Sequence, residues 1–385
     1  MGQMPQGGLL RQPGMPESTS IMMAAVLPKP GLPPADLPVP LARVLAGLLE
    51  GLRPLPARTL PVSEAPGLVL AAPLVVPSPV PERPIALRRG YPVASADTTG
   101  AGPYSPLPLP GTPAIVMPGD ALPDGSDAVL AEDAVLTAGG LAEAHEAAAP
   151  GQWARRVGED APSGAVLRQT GQVLRRTDVA LAQAARITAC EVRRPRVLFA
   201  GHHAGPAARL IAELAAGAGA QALTSDVDVL RPEESGELVF ILGAVAQQLD
   251  CLSAAGARVI ARRLALRPGE DGAAIRLGRV PVLLAPDRSA DALGLWLALG
   301  LPLVRHLAGA SPSVRQELPL TRKVNSSVGV SEVALLRMTD AGYEPLGTGA
   351  LPLAAIATSD SWLILPPESE GFAAADRVGA ERIAP

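Results

Sequence analysis

The stretch Arg196-Val-Leu-Phe-Ala-Gly-His-His-Ala-Gly-Pro206 decides the fold of the larger part of this chain. An apolar run of strand length ends in a glycine, two histidines and a second glycine, and a proline then opens a helical pattern that continues to Ala218. The same alternation continues with apolar runs at Leu238–Gly243, Val259–Leu266 and Val280–Leu284, and a helix begins near Ser289 and passes Trp296. Strands alternating with helices at this spacing predict a doubly wound α/β domain with a parallel sheet and helices on both faces. In such sheets ligands bind outside the carboxyl ends of the strands, so this is the expected binding domain.

On the N-terminal side, residues 1–36 are rich in Gly, Pro, Gln and Met without periodicity, which predicts either a disordered lead or a start codon misplaced upstream of Met15 or Met22. Leu41, Val44, Leu45, Leu48 and Leu49 fall at helical spacing, and Ser63 can cap a second short helix. From Pro73 to Pro123 prolines recur so often that only short strands and turns fit. Leu141–Pro150 reads as an Ala/Glu loop or short helix, and a helix is expected from Thr177 or Asp178 to Ile187. Past Leu318 short β runs at Val333–Leu336, Trp362–Leu365 and Val378–Ile383 suggest a small barrel or sandwich.

Composition narrows the function. With 385 residues and 48% apolar residues the chain can bury several cores. Nine aromatic residues and a net charge of -4 leave neither stacking platforms nor a positive field, so nucleic acid is not an expected partner. Two cysteines cannot form a disulfide framework, and no apolar run reaches the ~18 residues of a membrane span. A cytoplasmic protein without a membrane partner is expected.

Seven phrases then fall in a telling order: Gly67-Leu-Val-Leu-Ala71; Gly90-Tyr91 with Ala96-Asp97-Thr98; Leu122-Pro-Asp-Gly-Ser-Asp127-Ala-Val129; Gly158-Glu159-Asp160; Arg194-Pro195-Arg196-Val197; Arg267-Pro268-Gly269; and Ser326-Ser327-Val-Gly329 with the tail to Gly371. In this order they resemble the MoeA/gephyrin E-domain family of molybdopterin molybdotransferases, over roughly residues 37–385. The resemblance implies an elongated multidomain α/β subunit that forms a homodimer. Its parts would be a discontinuous helical domain (37–72 and 156–195), an inserted β domain (73–155), a molybdopterin-binding α/β domain (196–312) and a C-terminal β barrel (313–385). It also implies the family's reaction: molybdate is inserted into adenylylated molybdopterin with Mg²⁺, and AMP is released.

The departures from the family pattern fall on chemistry-bearing positions. Arg89 stands where the family has an acidic residue, which removes an oxygen ligand for Mg²⁺ and leaves a cation suited to phosphate. The family's Ser-Thr-Gly-Asp-Glu-Leu is shortened to Ala200-Gly201-His202-His203-Ala204. Its glycine-rich loop is reduced to Gly243-Ala-Val-Ala-Gln-Gln248-Leu-Asp250. Lys-Pro-Gly-Lys becomes Arg267-Pro268-Gly269-Glu270, and Leu-Pro-Gly-Asn-Pro becomes Leu284-Ala-Pro-Asp287-Arg288.

The resemblance therefore nominates Glu159 and Asp160 as catalytic residues and Mg²⁺ ligands. It nominates Arg89, Asp127, Gly201, His202, His203, Gly243, Asp250, Arg267, Pro268 and Gly269 as substrate-binding residues. Each has a bland alternative: Asp160 can cap a turn, Asp127 can close an Asx turn, His202 and His203 can be exposed loop residues, and Asp250 can be a helix-surface acid. Three functions stay open: a molybdotransferase, a catalytically impaired carrier delivering molybdopterin to a client molybdoenzyme, and a scaffold.

Overall fold

In the computed structural model, which describes residues 37–225 and 236–383, helix α1 (Leu41–Leu49) turns Val44 and Leu48 into the interior. The expected lead, 1–36, lies outside the described residues. Strands β1 (Arg58–Pro61), β2 (Val69–Leu70) and β3 (Ala189–Arg193) form a small antiparallel sheet in the order β1-β3-β2, so segments more than a hundred residues apart in sequence share one core around Leu70, Leu174 and Val192. Helix α2 (Arg176–Ala184) lies against that sheet. It starts one residue before Thr177, because Asp178, three residues into the helix, accepts a hydrogen bond from the Arg175 backbone N–H at 2.9 Å and so fixes the first turn.

Two local expectations fail for identifiable reasons. At Ser63 there is only a 3₁₀ turn, Val62–Glu64; Pro66 has no N–H with which to continue it into a helix. The segment expected as loop or short helix at Leu141–Pro150 instead supplies a strand, Leu141–Ala144, paired antiparallel with Val135–Ala138. Gly139 and Gly140 join the two with φ of 60° and 81°, the positive values a two-residue hairpin connection needs. The proline-dense stretch before it contains strands of only two or three residues, at Leu74–Val75, Ile85–Ala86 and Tyr91–Val93.

The large sheet follows in chain order: β4 (Arg196–Gly201), α3 (Pro206–Gly217), β5 (Gln221–Thr224), β6 (Leu238–Leu242), α4 (Val245–Ala254), β7 (Arg258–Ala261), β8 (Ala273–Leu277) and β9 (Val280–Ala285). Its spatial order is β5-β4-β6-β9-β8-β7. The first four are parallel, but β8 runs antiparallel to both of its neighbours, β9 and β7, which corrects the expectation of an all-parallel sheet. The two-residue connection Gly278-Arg279 between β8 and β9 is too short for a crossover, so that pair has to be a hairpin. β6, Leu-Val-Phe-Ile-Leu, is buried along its whole length, as a central strand covered on both faces must be.

The two faces of the sheet are covered differently. Val197, Phe199, Phe240 and Leu283 point to one side, where α1, α3 and a long helix α5 (Ser289–Ala308) pack. Leu198, Val239 and Ile241 point to the other, against Leu249 and Leu252 of α4. α5 is apolar enough to span a bilayer by length and composition, but 78% of its window is buried inside the fold, which makes it a core helix. Its middle, Trp296–Gly300, has π-helical hydrogen bonding, and Gly300 leaves the room that the Trp296 ring fills.

The C-terminal part is a sheet of β10 (Gln316–Pro319), β11 (Ser331–Thr339), β12 (Gly342–Thr348), β13 (Ser361–Leu365) and β14 (Arg377–Arg382), with β11-β13-β14-β10 as its path and β12 paired on β11. Leu266–Arg267 adds to β11 as a parallel neighbour, tying the loop before β8 to this sheet.

Burial raises the pKa of two acids from their ordinary values, the Cys190 thiol from 9.0 and the Tyr343 phenol from 10.0. A raised folded-state pKa gives stability that is complete below the unfolded value and is lost as pH climbs toward the folded one. Unfolding free energy measured in denaturant should therefore decline from about pH 9 upward, and Cys190→Ala together with Tyr343→Phe should flatten that decline. An unchanged slope in the double variant would assign alkaline sensitivity elsewhere. Trp296→Ala should cost about 3–5 kcal/mol in the same assay.

Candidate functional site

The first three parallel strands create a topological switch point. From β4 the chain crosses to β5 on one side and then to β6 on the other, so the connections diverge and leave a crevice between the carboxyl ends of β4 and β6. Three helices begin on this edge: α3 after Gly205, α4 after Ala244 and α5 after Arg288. Their first-turn N–H groups and helix dipoles face the edge and favour an anion there.

Glycine shapes the crevice. Gly201 ends β4 with φ of 73°, and a Cβ there would overlap the Leu242 carbonyl oxygen; the missing side chain lets the loop fold back over β6. The His202 backbone N–H then donates to Leu242 O at 3.0 Å. Gln248, in the first turn of α4, sits beneath, with its Nε2 placed 3.1 Å and 3.2 Å from the Cβ positions that Gly201 and Gly243 lack. That Nε2 faces Leu242 O at 3.4 Å, while the Oε1 is buried with no partner among the described residues. Beneath the loop, Gln248 thus holds a buried hydrogen-bond acceptor that is unused among the described residues.

His202 crosses the crevice. Its Nδ1 lies 2.9 Å from Asp287 Oδ2 in the loop after β9, and its ring passes over Gly243. The Asp287 carboxylate also lies against Gly205, its Oδ1 3.3 Å from where a Cβ would be, so it stands at the start of α3, where an incoming anion would be drawn. His203 turns back on its own loop, Nδ1 to Gly201 O at 3.0 Å.

The antiparallel entry of β8 carries Arg267-Pro268-Gly269 to the same edge. Gly272 packs on Leu284 O at the end of β9, and Arg288 lies 3.7 Å from Asp271 while also pairing with Asp291. Arg267 is held by Glu270 at 3.3 Å and Arg263 by Glu270 and Asp271, so the cations on this rim are partly self-neutralised.

Of the residues nominated from the sequence, Gly201, His202, His203, Gly243 and Arg267 to Gly269 share this edge. Asp250 is on the outer surface of α4, 3.4 Å from Arg262. Arg89 and Asp127 lie in the 73–155 segment, Glu159 and Asp160 just after it and packed against Val80–Pro81, and all four are engaged there. Arg89 pairs with Glu132 at 3.2 Å. Asp127 accepts from the Ser95 N–H and hydroxyl at 2.7 and 2.8 Å, holding a 3₁₀ turn. Glu159 accepts from the Arg156 backbone N–H and Asp160 pairs with Arg155, each at 2.7 Å.

Mg²⁺ takes one or two carboxylates beside water and phosphate oxygens, and the two nominated for it, Glu159 and Asp160, are both engaged with neighbouring groups. Among the described residues no three His, Cys, Asp or Glu side chains cluster as a metal site. Gln248 and Asp287 were not among the nominated residues. Their signal was positional only: Gln248 lies six residues past the carboxyl end of β6 and Asp287 two past that of β9.

Comparison with known proteins agrees with this architecture. Residues 39–185 match the family model for the MoeA N-terminal region, domains I and II. A molybdopterin molybdenumtransferase 2 of Mycobacterium tuberculosis is 31% identical over 161 residues, covering 37% of this chain and 38% of the relative. The chain thus spans well under half of that relative's length in the match. Two crystal structures of the molybdopterin biosynthesis MoeA protein of Pyrococcus horikoshii superpose on 91% and 90% of the chain, with TM-scores of 0.71 and 0.66 at 19% and 20% identity, and all of each of those chains is covered.

Because Gly201 has both a positive φ and no room for a methyl group, Gly201→Ala should lower unfolding free energy by roughly 1–3 kcal/mol. Gly256→Ala, also at positive φ but in open space, separates backbone strain from overlap and should cost less. Equal costs would remove the close approach as the reason for glycine at 201.

Proposed function

We propose that the chain is a MoeA-family protein, a reading supported by the match of its N-terminal region and by its fold, and that it works in molybdenum cofactor biosynthesis by binding molybdopterin, in its adenylylated form, on the carboxyl edge of the six-stranded sheet. One observation carries the reading: three helix N-termini meet at the switch point between the carboxyl ends of β4 and β6, and the Gln248 Oε1 is buried beneath them with no partner among the described residues. The phosphate of the ligand takes the helix N-termini. The pterin, rich in N–H donors, takes the Gln248 Oε1, which is otherwise buried without a partner.

Binding is better supported than transfer. Molybdate insertion is the family's chemistry, and the intact Gly158-Glu159-Asp160 phrase speaks for it. Against it, both carboxylates are engaged by neighbouring arginines, Asp160 by the Arg155 side chain and Glu159 by the Arg156 backbone. The function that the geometry supports best is therefore a molybdopterin-binding protein that carries the cofactor toward a client molybdoenzyme. Molybdotransferase is the second reading.

Asp287 and His202 set the affinity. The family phrase has Asn where this chain has Asp287, and a carboxylate there repels the phosphate it would share the edge with. Asp287→Asn should tighten binding of adenylylated molybdopterin about tenfold by calorimetry at low salt, an effect that shrinks as ionic strength rises. Gln248→Leu should weaken the pterin nucleotide while leaving binding of AMP unchanged. AMP assayed in the same samples separates the readings: bound ligand without AMP release, with molybdate and Mg²⁺ present, supports the carrier, and stoichiometric AMP supports the transferase. Absence of binding in wild type and in Asp287→Asn alike would refute both.

A further inference from the structure

A second cavity lies at the other end of α3, near the amino edge of the sheet. It has a volume of about 420 Å³ and is bounded by Leu214, Gly217 and Ala218 at the end of α3, by Trp296 and Arg305 of α5, by the 168–175 segment, and by Trp362 and Arg382 of the C-terminal sheet. The twelve residues of α3 separate it from the crevice by roughly 18 Å. The volume lies within the usual range for a small-molecule site.

The chemistry of the lining is mixed in a specific way. Leu214, Trp296 and the half-exposed Val173 supply apolar surface, and Arg168, Arg175, Arg305 and Arg382 supply four guanidinium groups. Only two carboxylates stand behind them. Asp178, 3% exposed, takes both Arg168 (2.8 Å) and Arg175 (2.9 Å); Glu381 takes Arg305 and is shared with Arg315 at 3.5 Å. Arg382 has no carboxylate within ion-pair distance among the described residues; its recorded contact is the Met338 sulfur at 4.0 Å. At least two positive charges are therefore unmatched.

Trp362 adds an independent sign. It is 5% exposed, forms part of the wall between this cavity and a neighbouring one of about 460 Å³, and its indole N–H is buried without a partner among the described residues. A buried donor left unsatisfied costs stability, so a group that accepts from it is favoured there. We propose that this cavity binds a small organic anion with a flat apolar body, a class that includes aromatic carboxylates, sulfonates and phosphate monoesters. The body lies on Leu214 and the tryptophans, and the anionic group meets Arg382 and the free faces of Arg168 and Arg175.

The probe is 8-anilinonaphthalene-1-sulfonate, an aromatic sulfonate whose emission rises on binding, with neutral N-phenyl-1-naphthylamine as the uncharged control. One sulfonate per chain should bind, with energy transfer from tryptophan, and at least about tenfold more tightly than the neutral dye. Arg382→Ala should weaken the sulfonate about tenfold and leave the neutral dye unchanged. Leu214→Trp, which fills the cavity, should abolish sulfonate binding. Val173→Glu, at a half-exposed position where misfolding is not a concern, should weaken it by charge repulsion. Equal affinity for both dyes, or sulfonate binding untouched in Leu214→Trp and Val173→Glu, would overturn the proposal. So would a wild-type sedimentation mass that falls in Val173→Glu with no sulfonate bound to either protein, because the cavity would then be a contact between copies.

Discussion

The close approach of Gly201 to the Leu242 carbonyl is the constraint from which the site follows. Parallel pairing of β4 with β6 brings the end of one strand onto the end of the other, and only a residue without a Cβ, at φ of 73°, can turn there. The turn sends His202 N–H onto Leu242 O and its imidazole across Gly243 to Asp287, so three strand ends are tied by one residue. Gln248 is held under the same turn, which leaves its Oε1 without a neighbour. Any larger residue at 201 would push the loop outward and open every one of these contacts.

The α/β part was legible because its code is local and repetitive. Buried strands such as Leu238–Leu242 read as unbroken apolar runs, and Gly205-Pro206 punctuates strand from helix. The antiparallel pair β8 and β9 was missed because Ala-Ala-Ile-Arg-Leu has a weak strand signal, although the two-residue connection at Gly278 was there to be read. The hairpin at Gly139-Gly140 was lost to a loop or short-helix reading of an Ala/Glu-rich stretch, a case of turn geometry outweighing propensity.

The site was half legible. Glycines and histidines at strand ends announce themselves by position, whereas Asp287 and Gln248 matter through contacts made across the sheet, which no linear pattern encodes. The carboxylates nominated through the resemblance illustrate the opposite limit. A phrase such as Gly158-Glu159-Asp160 persists in the sequence, but its charges are engaged with Arg155 and Arg156, two residues that the phrase itself does not include. Charge identity is readable from sequence, and charge availability is a property of the folded neighbourhood.

The central claim is that the cofactor sits on the carboxyl edge at the β4/β6 crevice. Hydrogen–deuterium exchange of the full chain with and without adenylylated molybdopterin tests it most directly, because loop N–H groups that grip a phosphate exchange more slowly. The account predicts slower exchange at 202–209 and 244–248, with 85–91 and 120–132 unchanged. Protection confined to those latter segments, or to the cavity at the far end of α3, would place the ligand elsewhere and contradict the account.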